Sequence, residues 1–387
     1  MVDERDAIRH SKGLFASFRV RSPMLPVGSR IGILTSGGDC AGLNAVIRAA
    51  VFRAVRTYGW EVVGLRQGTL GLLKRPVDTM HLDVNMFSGS ILRESGTILG
   101  TTNTGDPFAF PMPDGSKRDR SAEVIEGYRQ LGLAGLIVIG GDGSFRIMDK
   151  LAKQGNIPLV GVPKTIDNDV GRTENSIGFI TAVNVATEAL DRLQPTAASH
   201  NRVMILEVMG RDAGHIALAS GIAGGADIIL MPEIPWKLEH LAAKIKRLRD
   251  EEGRNFALVV VAEGVKTPEG RSVTQADVAG KVRYGGIGHY LGDRLADAAK
   301  AETRVTVLGH VQRGGSPATT DRVLGSAFGV AAVDLLAAGK HGRMVTWQNR
   351  HVVDVPIEDT ISGPGGVNVE GDLVRTARGL GICLGDQ

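Results

Sequence analysis

A rhythm of short β-branched runs, each followed by a longer stretch with helical spacing, leaves few folds open to this chain. Arg30-Ile31-Gly32-Ile33-Leu34 runs into Thr35-Ser36-Gly37-Gly38-Asp39, after which Val46, Ile47, Ala50, Val51 and Val55 recur at helical intervals. Leu136-Ile137-Val138-Ile139 runs into Gly140-Gly141-Asp142-Gly143-Ser144, and Pro158-Leu159-Val160-Gly161-Val162 into Pro163-Lys164-Thr165-Ile166-Asp167-Asn168-Asp169. Further strands are expected at 61–65, 203–208, 227–230, 256–261 and 304–308, with helices at 181–193, 238–251, 287–301 and 321–338. Strand and helix in alternation specify parallel sheets. The glycine and carboxylate clusters then emerge at strand carboxyl ends, where open α/β sheets take their ligands, and two of them can meet over one crevice.

A length of 387 residues exceeds the size at which single cores stop growing, so two domain-sized units are expected. The 52 glycines point to tight turns and close backbone approaches of the kind phosphate loops need. A net charge of +3, with no long basic stripe, argues against a nucleic-acid partner and is compatible with small anionic substrates. Cys40 and Cys383 cannot build a disulfide framework or a Cys-rich zinc site, and both read as structural residues of a protein in a reducing cytoplasm. No apolar run approaches the ~20 residues that span a bilayer, so no membrane partner is expected. Residues 1–22, with Pro23 and Pro26 before the first strand, read as a surface arm. Residues 111–120 read as an exposed loop, and 357–367 as a second turn-rich stretch.

Each cluster carries chemistry. Thr35 to Gly42 puts small residues at a strand-to-helix turn, where backbone N–H groups can approach a phosphate; an ordinary glycine-rich turn has the same look. In the second cluster Asp142 can hold a Mg²⁺ that bridges phosphate oxygens, or it can cap the following helix. Asp167 and Asp169, two residues apart, can share a cation or leave one carboxylate as a base for a substrate hydroxyl; the alternative is a polar Asx turn. Arg304 and the run Gly309-His310-Val311-Gln312-Arg313-Gly314-Gly315-Ser316-Pro317 read as a second anion site that Arg202 can join. Met209-Gly210-Arg211-Asp212-Ala213-Gly214-His215 is another βα turn, in which His215 reads as a packed or capping histidine, and Glu263 follows a strand where a carboxylate can bind sugar hydroxyls.

Together, Gly37-Gly38-Asp39, Gly140 to Ser144, Pro163 to Asp169, Glu207-Val208-Met209-Gly210-Arg211 and Gly309 to Pro317 resemble the 6-phosphofructokinase family, in order and spacing, over residues 30–365. The resemblance implies two Rossmann-like α/β lobes with mainly parallel sheets, helices on both faces and the active site in the cleft between them. It implies an N-terminal extension at 1–29, a phosphoryl-donor domain at 30–177 with 311–365, and a fructose-6-phosphate domain at 178–310 with 366–387. It also implies Mg²⁺-dependent transfer of the terminal phosphoryl group of ATP to the 1-hydroxyl of fructose 6-phosphate. On this pattern Asp167 is the general base, Thr165 orients the reacting groups, Asp142 is the magnesium-linked carboxylate, and Asp169 supports the metal or the base. Gly38, Asn103, Gly141, Gly143 and Ser144 belong to the donor site. Met209, Gly210, Arg211 and Glu263 contact the sugar phosphate, and His310 with Arg313 grips the 6-phosphate. Arg202 and Arg304 match arginines the family supplies across a subunit boundary, so a homodimer or homotetramer with shared sites is expected.

Two positions bear on the phosphoryl donor. Gly143 matches ATP users, in which a small residue leaves room for the α-phosphate, whereas Lys164 resembles the branch that uses pyrophosphate. Asn103 stands where many ATP enzymes carry an arginine, and Lys164 can compensate for its charge. Bulk outweighs charge here, and ATP is the expected donor. Arg48 matches one effector-binding arginine of bacterial relatives, but Phe52, Asn85 and Glu252 stand where further basic residues are expected, which argues against the usual effectors. A non-catalytic sensor would have lost a carboxylate, yet Asp142, Asp167 and Asp169 are all present.

Overall fold

The computed structural model describes residues 25–276, 282–361 and 365–387. Most of the expected surface arm, residues 1–24, lies outside the described residues. Strand β1 (Arg30–Thr35) pairs in parallel with β2 (Glu61–Leu65) and with β6 (Gly135–Gly140), and β6 in turn with β7 (Leu159–Pro163). Strand β14 (Arg343–Gln348) adds to β7, and the sheet is closed by two antiparallel edges, β3 (Thr79–Leu82) and β15 (His351–Pro356). The resulting order is β15-β14-β7-β6-β1-β2-β3. A second sheet, β13-β8-β10-β9, is parallel throughout and is built from β8 (Val203–Val208), β9 (Ile228–Leu230), β10 (Ala257–Ala262) and β13 (Thr303–Val307). The α/β class and mainly parallel sheets are those expected.

Alternation along the strands explains the layers. Ile137 and Ile139 face one side of the first sheet with Ile31 and Ile33, against α1 (Leu43–Tyr58) and α9 (Thr319–Ala337). Leu136 and Val138 face the other side, against α3 (Ser121–Gln130) and α4 (Asp142–Gly155), which follow the short helix α2 (Thr69–Leu73). Strands buried on both faces read as continuous apolar runs, which is why these were visible in the sequence. Around the second sheet, α5 (Phe179–His200) packs on α6 (His215–Ala223), and α7 (Leu238–Asp250) on α8 (Ile287–Ala299). Helix α5 runs beyond the expected end at 193 and through Pro195, because Ala197 is buried with Met204 and Leu258 of the second sheet.

Several pieces were not expected, the strands β3, β14 and β15 among them. The loop at 111–120 closes a small hairpin, β4 (Phe110–Pro111) with β5 (Lys117–Arg118). A second hairpin joins β11 (Thr274–Ala276) to β12 (Val282–Tyr284). After α10 (Asp372–Gly379) the chain returns to the second sheet, where Cys383 bridges Ile228. Both cysteines are buried, and burial pushes the Cys40 thiol up to about 12, in keeping with a structural role.

Candidate active site

The carboxyl ends of β1, β6 and β7 open on one cleft of about 310 Å³, whose lining includes Gly38, Asn103, Gly141, Asp142, Gly143 and Ser144. Lys164, Thr165, Asp167, Asp169, Arg211 and Arg313 complete it. Six segments that are far apart in sequence thus meet where parallel strands end, as an open α/β sheet requires.

The first turn is shaped by its neighbours. Gly37 has φ of 84°, and a Cβ there would lie 3.1 Å from Lys164 Nζ and 3.3 Å from Ser144 Oγ. The Gly37 N–H donates to the Thr102 carbonyl at 2.9 Å, and Thr101 Oγ1 donates to the Gly37 carbonyl at 2.6 Å, so the 101–105 loop is fastened over this turn. A side chain at Gly38 would run into the Arg313 guanidinium, whose Nη1 donates to the Asp39 carbonyl at 3.0 Å.

The second turn opens α4 with Gly141 at the N-cap and Asp142 as the first helical residue, with no side-chain cap. Asp142 therefore does not serve as the helix cap. Its carboxylate is half-buried in the cleft beside the free N–H groups of the first turn, and its nearest cation is Arg146 at 3.9 Å. A Cβ at Gly143 would meet nothing within 4 Å.

The third loop carries the densest chemistry. Lys164 and Asp167 are each only 4% exposed. Lys164 Nζ donates to the Gly38 carbonyl at 2.6 Å. Thr165 Oγ1 accepts from Asp167 N at 3.1 Å, leaving the hydroxyl proton free to point elsewhere. Asn168, at φ of 54°, accepts from Ser176 N at 2.9 Å, and Ser176 Oγ donates to the Thr165 carbonyl at 2.7 Å. Asn168 thus clasps this loop to Ser176, and the local turn is made by Thr165 accepting from Asp167 N, while both aspartates line the cleft. Asp167 Oδ1 is buried and has no hydrogen-bond partner.

Burial pushes the Asp167 carboxyl up, opposed by Arg313, Arg211, Thr165 and Lys164. Burial, then repulsion from Asp167 and Asp142, pushes Asp169 up to about 6. Burial also lowers Lys164, against the opposing pull of Cys40 and Asp167. These shifts crowd into one crevice, the pattern that marks a functional site.

On the second sheet, Met209 N donates to Gln312 Oε1 at 2.7 Å, Gly210 has φ of 144°, and Arg211 N donates to Glu263 Oε1 at 3.1 Å. Burial pushes Glu263 up. His310 is exposed on the short helix Gly309–Arg313 and does not line the cleft, whereas Arg313 reaches the first turn. Arg202 and Arg304 stand at the amino ends of β8 and β13, both against Glu302. With a rise of roughly 3.3 Å per residue, Arg202 lies about 20 Å along β8 from Met209, away from this chain's own cleft. His215 lies half-buried at the start of α6, where Nε2 meets the Gly365 carbonyl at 2.8 Å.

Sequence reasoning gave Gln312 no role of its own, yet its Nε2 also reaches the Ala182 carbonyl at 3.3 Å and so ties the turn after β8 to α5. Sequence reasoning also missed Asp321, whose carboxylate accepts from Gly178 N at 3.0 Å and Thr181 N at 2.8 Å. A polar residue at the start of α9 gave no sign of the helix it would cap.

Among the described residues no three His, Cys, Asp or Glu side chains form a metal cage by themselves. Mg²⁺ does not need one, since it keeps several waters and is held by one or two carboxylates with substrate phosphates. Asp142 and Asp169 both line the cleft and repel one another, a cost that a bound cation relieves, so they fit that ion.

Comparison with known proteins places this geometry. A phosphofructokinase family model matches residues 30–336. The chain belongs to the phosphofructokinase family. An "ATP-dependent 6-phosphofructokinase 1" of Synechocystis sp. is 61% identical over 92% of this chain and 98% of its own length. An ATP-dependent 6-phosphofructokinase of Chloroflexus aurantiacus is 46% identical over 92% of this phosphofructokinase and 98% of its own length. Among solved structures, the T-state phosphofructokinase of Pichia pastoris superposes with a TM-score of 0.75 at 31% identity, over 89% of this chain and 36% of the longer yeast chain. A pyrophosphate-dependent phosphofructokinase of Marinobacter aquaeolei shares the fold, with a TM-score of 0.73 at 23% identity over 92% of this chain and 88% of its own.

Proposed function

We propose that the cleft transfers the terminal phosphoryl group of ATP to the 1-hydroxyl of fructose 6-phosphate, giving fructose 1,6-bisphosphate and ADP. The chain is an ATP-dependent 6-phosphofructokinase, and the observation that carries this is 61% identity across 92% of its length to a relative named for that activity. Glycolysis is the setting of the reaction.

The residue roles are our reading of the geometry. Asp167, with one oxygen unpartnered and its carboxyl made more basic by burial, takes the proton of the 1-hydroxyl as the bond to phosphorus forms. Thr165, whose Oγ1 already accepts from Asp167 N, keeps its own proton for an acceptor in the cleft. Lys164 and Arg211 place positive charge where the migrating phosphoryl group gains negative charge. Asp142 with Asp169 would hold Mg²⁺, which would supply positive charge to the phosphates. Gly38, Gly141, Gly143 and Ser144 receive the polyphosphate, with Asn103 at the rim; Met209, Gly210, Arg211 and Glu263 receive the sugar.

Residues 30–177 with 311–365 then form the donor domain, and 178–310 with 366–387 the acceptor domain. Arg202 and Arg304, remote from the cleft of their own chain, support a dimer or tetramer in which they complete a neighbour's site. No helix among the described residues is long and apolar enough to cross a membrane. The buried free thiols support a cytoplasmic location. A coupled assay with ATP and with pyrophosphate as alternative donors tests the reading. Turnover with ATP is expected, and a strong preference for pyrophosphate would overturn it.

A further inference from the structure

We infer that Tyr284 is a positioning residue for Arg211, acting through Asp212, and that it helps set the affinity for the sugar phosphate. The inference rests on the reading of Arg211 as an acceptor-site cation. Arg211 has φ of 50°, directly after Gly210 at 144°. A residue with a Cβ holds such a conformation only where its surroundings over-determine it. Here two hydrogen bonds to neighbouring side chains do so. Glu263 Oε1 accepts from Arg211 N at 3.1 Å, and Asp212 Oδ1 accepts from the Tyr284 hydroxyl at 2.6 Å. Beneath them the backbone of Gly264 packs so closely that a side chain there would run into the Arg211 carbonyl.

Tyr284 is itself anchored. It ends β12, paired with Thr274, and just beyond it Gly286 N and Gly288 N donate to the Glu207 carboxylate at 3.1 and 2.8 Å. Glu207 is 2% exposed and lies in β8, the strand that delivers Met209, Gly210 and Arg211. One buried carboxylate therefore ties the start of α8 to the strand that ends at the acceptor site, and the phenol is carried onto Asp212 as a result. The hydrogen bond to Asp212, ahead of burial, holds the phenol proton above its ordinary range. Without the hydroxyl, the 210–212 turn regains other conformations, and the guanidinium spends less of its time aimed at the acceptor.

Steady-state kinetics with fructose 6-phosphate and Mg-ATP test this with Tyr284→Phe, Asp212→Ala and the double variant. Loss of one such hydrogen bond is expected to raise the KM for fructose 6-phosphate about 3- to 10-fold, with the KM for ATP changed less than about twofold. Because the two side chains act as one unit, the double variant should be no worse than the worse single variant. An unchanged fructose 6-phosphate KM in Tyr284→Phe, or single effects that multiply in the double, would overturn the inference. Should Tyr284→Phe fail to fold, Asp212→Ala, which trims an exposed carboxylate, gives the same reading of KM. Arg211→Ala separates the two levels. If it weakens fructose 6-phosphate while Tyr284→Phe and Asp212→Ala do not, the inference alone fails; if it is silent, the acceptor-site reading fails and the inference with it.

Discussion

Lys164 Nζ donates to the Gly38 carbonyl across 2.6 Å, so the loop after β7 is fastened to the turn after β1 by a buried ammonium. Burial lowers its affinity for the proton, and the glycine at 37 leaves the space it occupies. A buried charge with one hydrogen bond is a poor stabiliser. Lys164→Met is therefore expected to leave the melting temperature unchanged or higher while lowering kcat about 100-fold, the usual scale for removing one preorganised donor. Thermal melts and ATP kinetics on the same preparation check both halves.

The open space at Gly143 makes a second prediction sharp. A Cβ there meets no protein atom within 4 Å, so Gly143→Asp should fold as well as the parent. Its carboxylate would crowd and repel the α-phosphate, and the KM for ATP should rise by about tenfold or more. Unchanged ATP kinetics would contradict the steric basis for ATP as donor.

Asp169 links stability to pH. Its carboxyl is raised from the ordinary 3.8 to about 6, so the folded state prefers the neutral form and gives up stability as pH rises from about 4 through 6. Asp169→Asn removes that cost. At pH 7.5, without ligands, the variant should be more stable than the parent by about 1–2 kcal/mol after allowing for screening at the cleft mouth. The gap should close as the pH falls below 5, while activity is lost throughout. Thermal melts across this range provide the check.

Arg202 and Arg304 predict complementation. Under the proposed sharing of Arg202 between subunits, Arg202→Ala and Asp167→Ala should each be nearly inactive, one for want of the lent cation and the other for want of the base. Hybrids formed by dissociating and mixing the two should recover activity, since some clefts then combine an intact Asp167 with an intact Arg202. Hybrids shown to form but remaining inactive would place each site within one chain.

The sequence made the two-sheet plan legible because its central strands are buried on both faces and read as unbroken apolar runs, such as Leu136-Ile137-Val138-Ile139. It was silent on β14 and β15, where Thr346, Trp347, Gln348 and Asp354 mix polar and apolar residues at a sheet edge. The cleft carboxylates were legible because Asp142, Asp167 and Asp169 follow strands directly. The orientation of Arg313 was not, because its guanidinium is directed by the Asp39 carbonyl, 274 residues away. Tyr284 was equally hidden, since its place depends on the long-range capture of Gly286 and Gly288 by Glu207.

Phosphoryl transfer by Asp167→Ala, measured beside fructose 6-phosphate binding to the same protein, bears on the base itself. With the proton acceptor gone and the sugar-phosphate contacts intact, kcat should fall by about 10³-fold or more while the affinity for fructose 6-phosphate changes only a few-fold. Turnover within about tenfold of the parent would show that another group takes the proton.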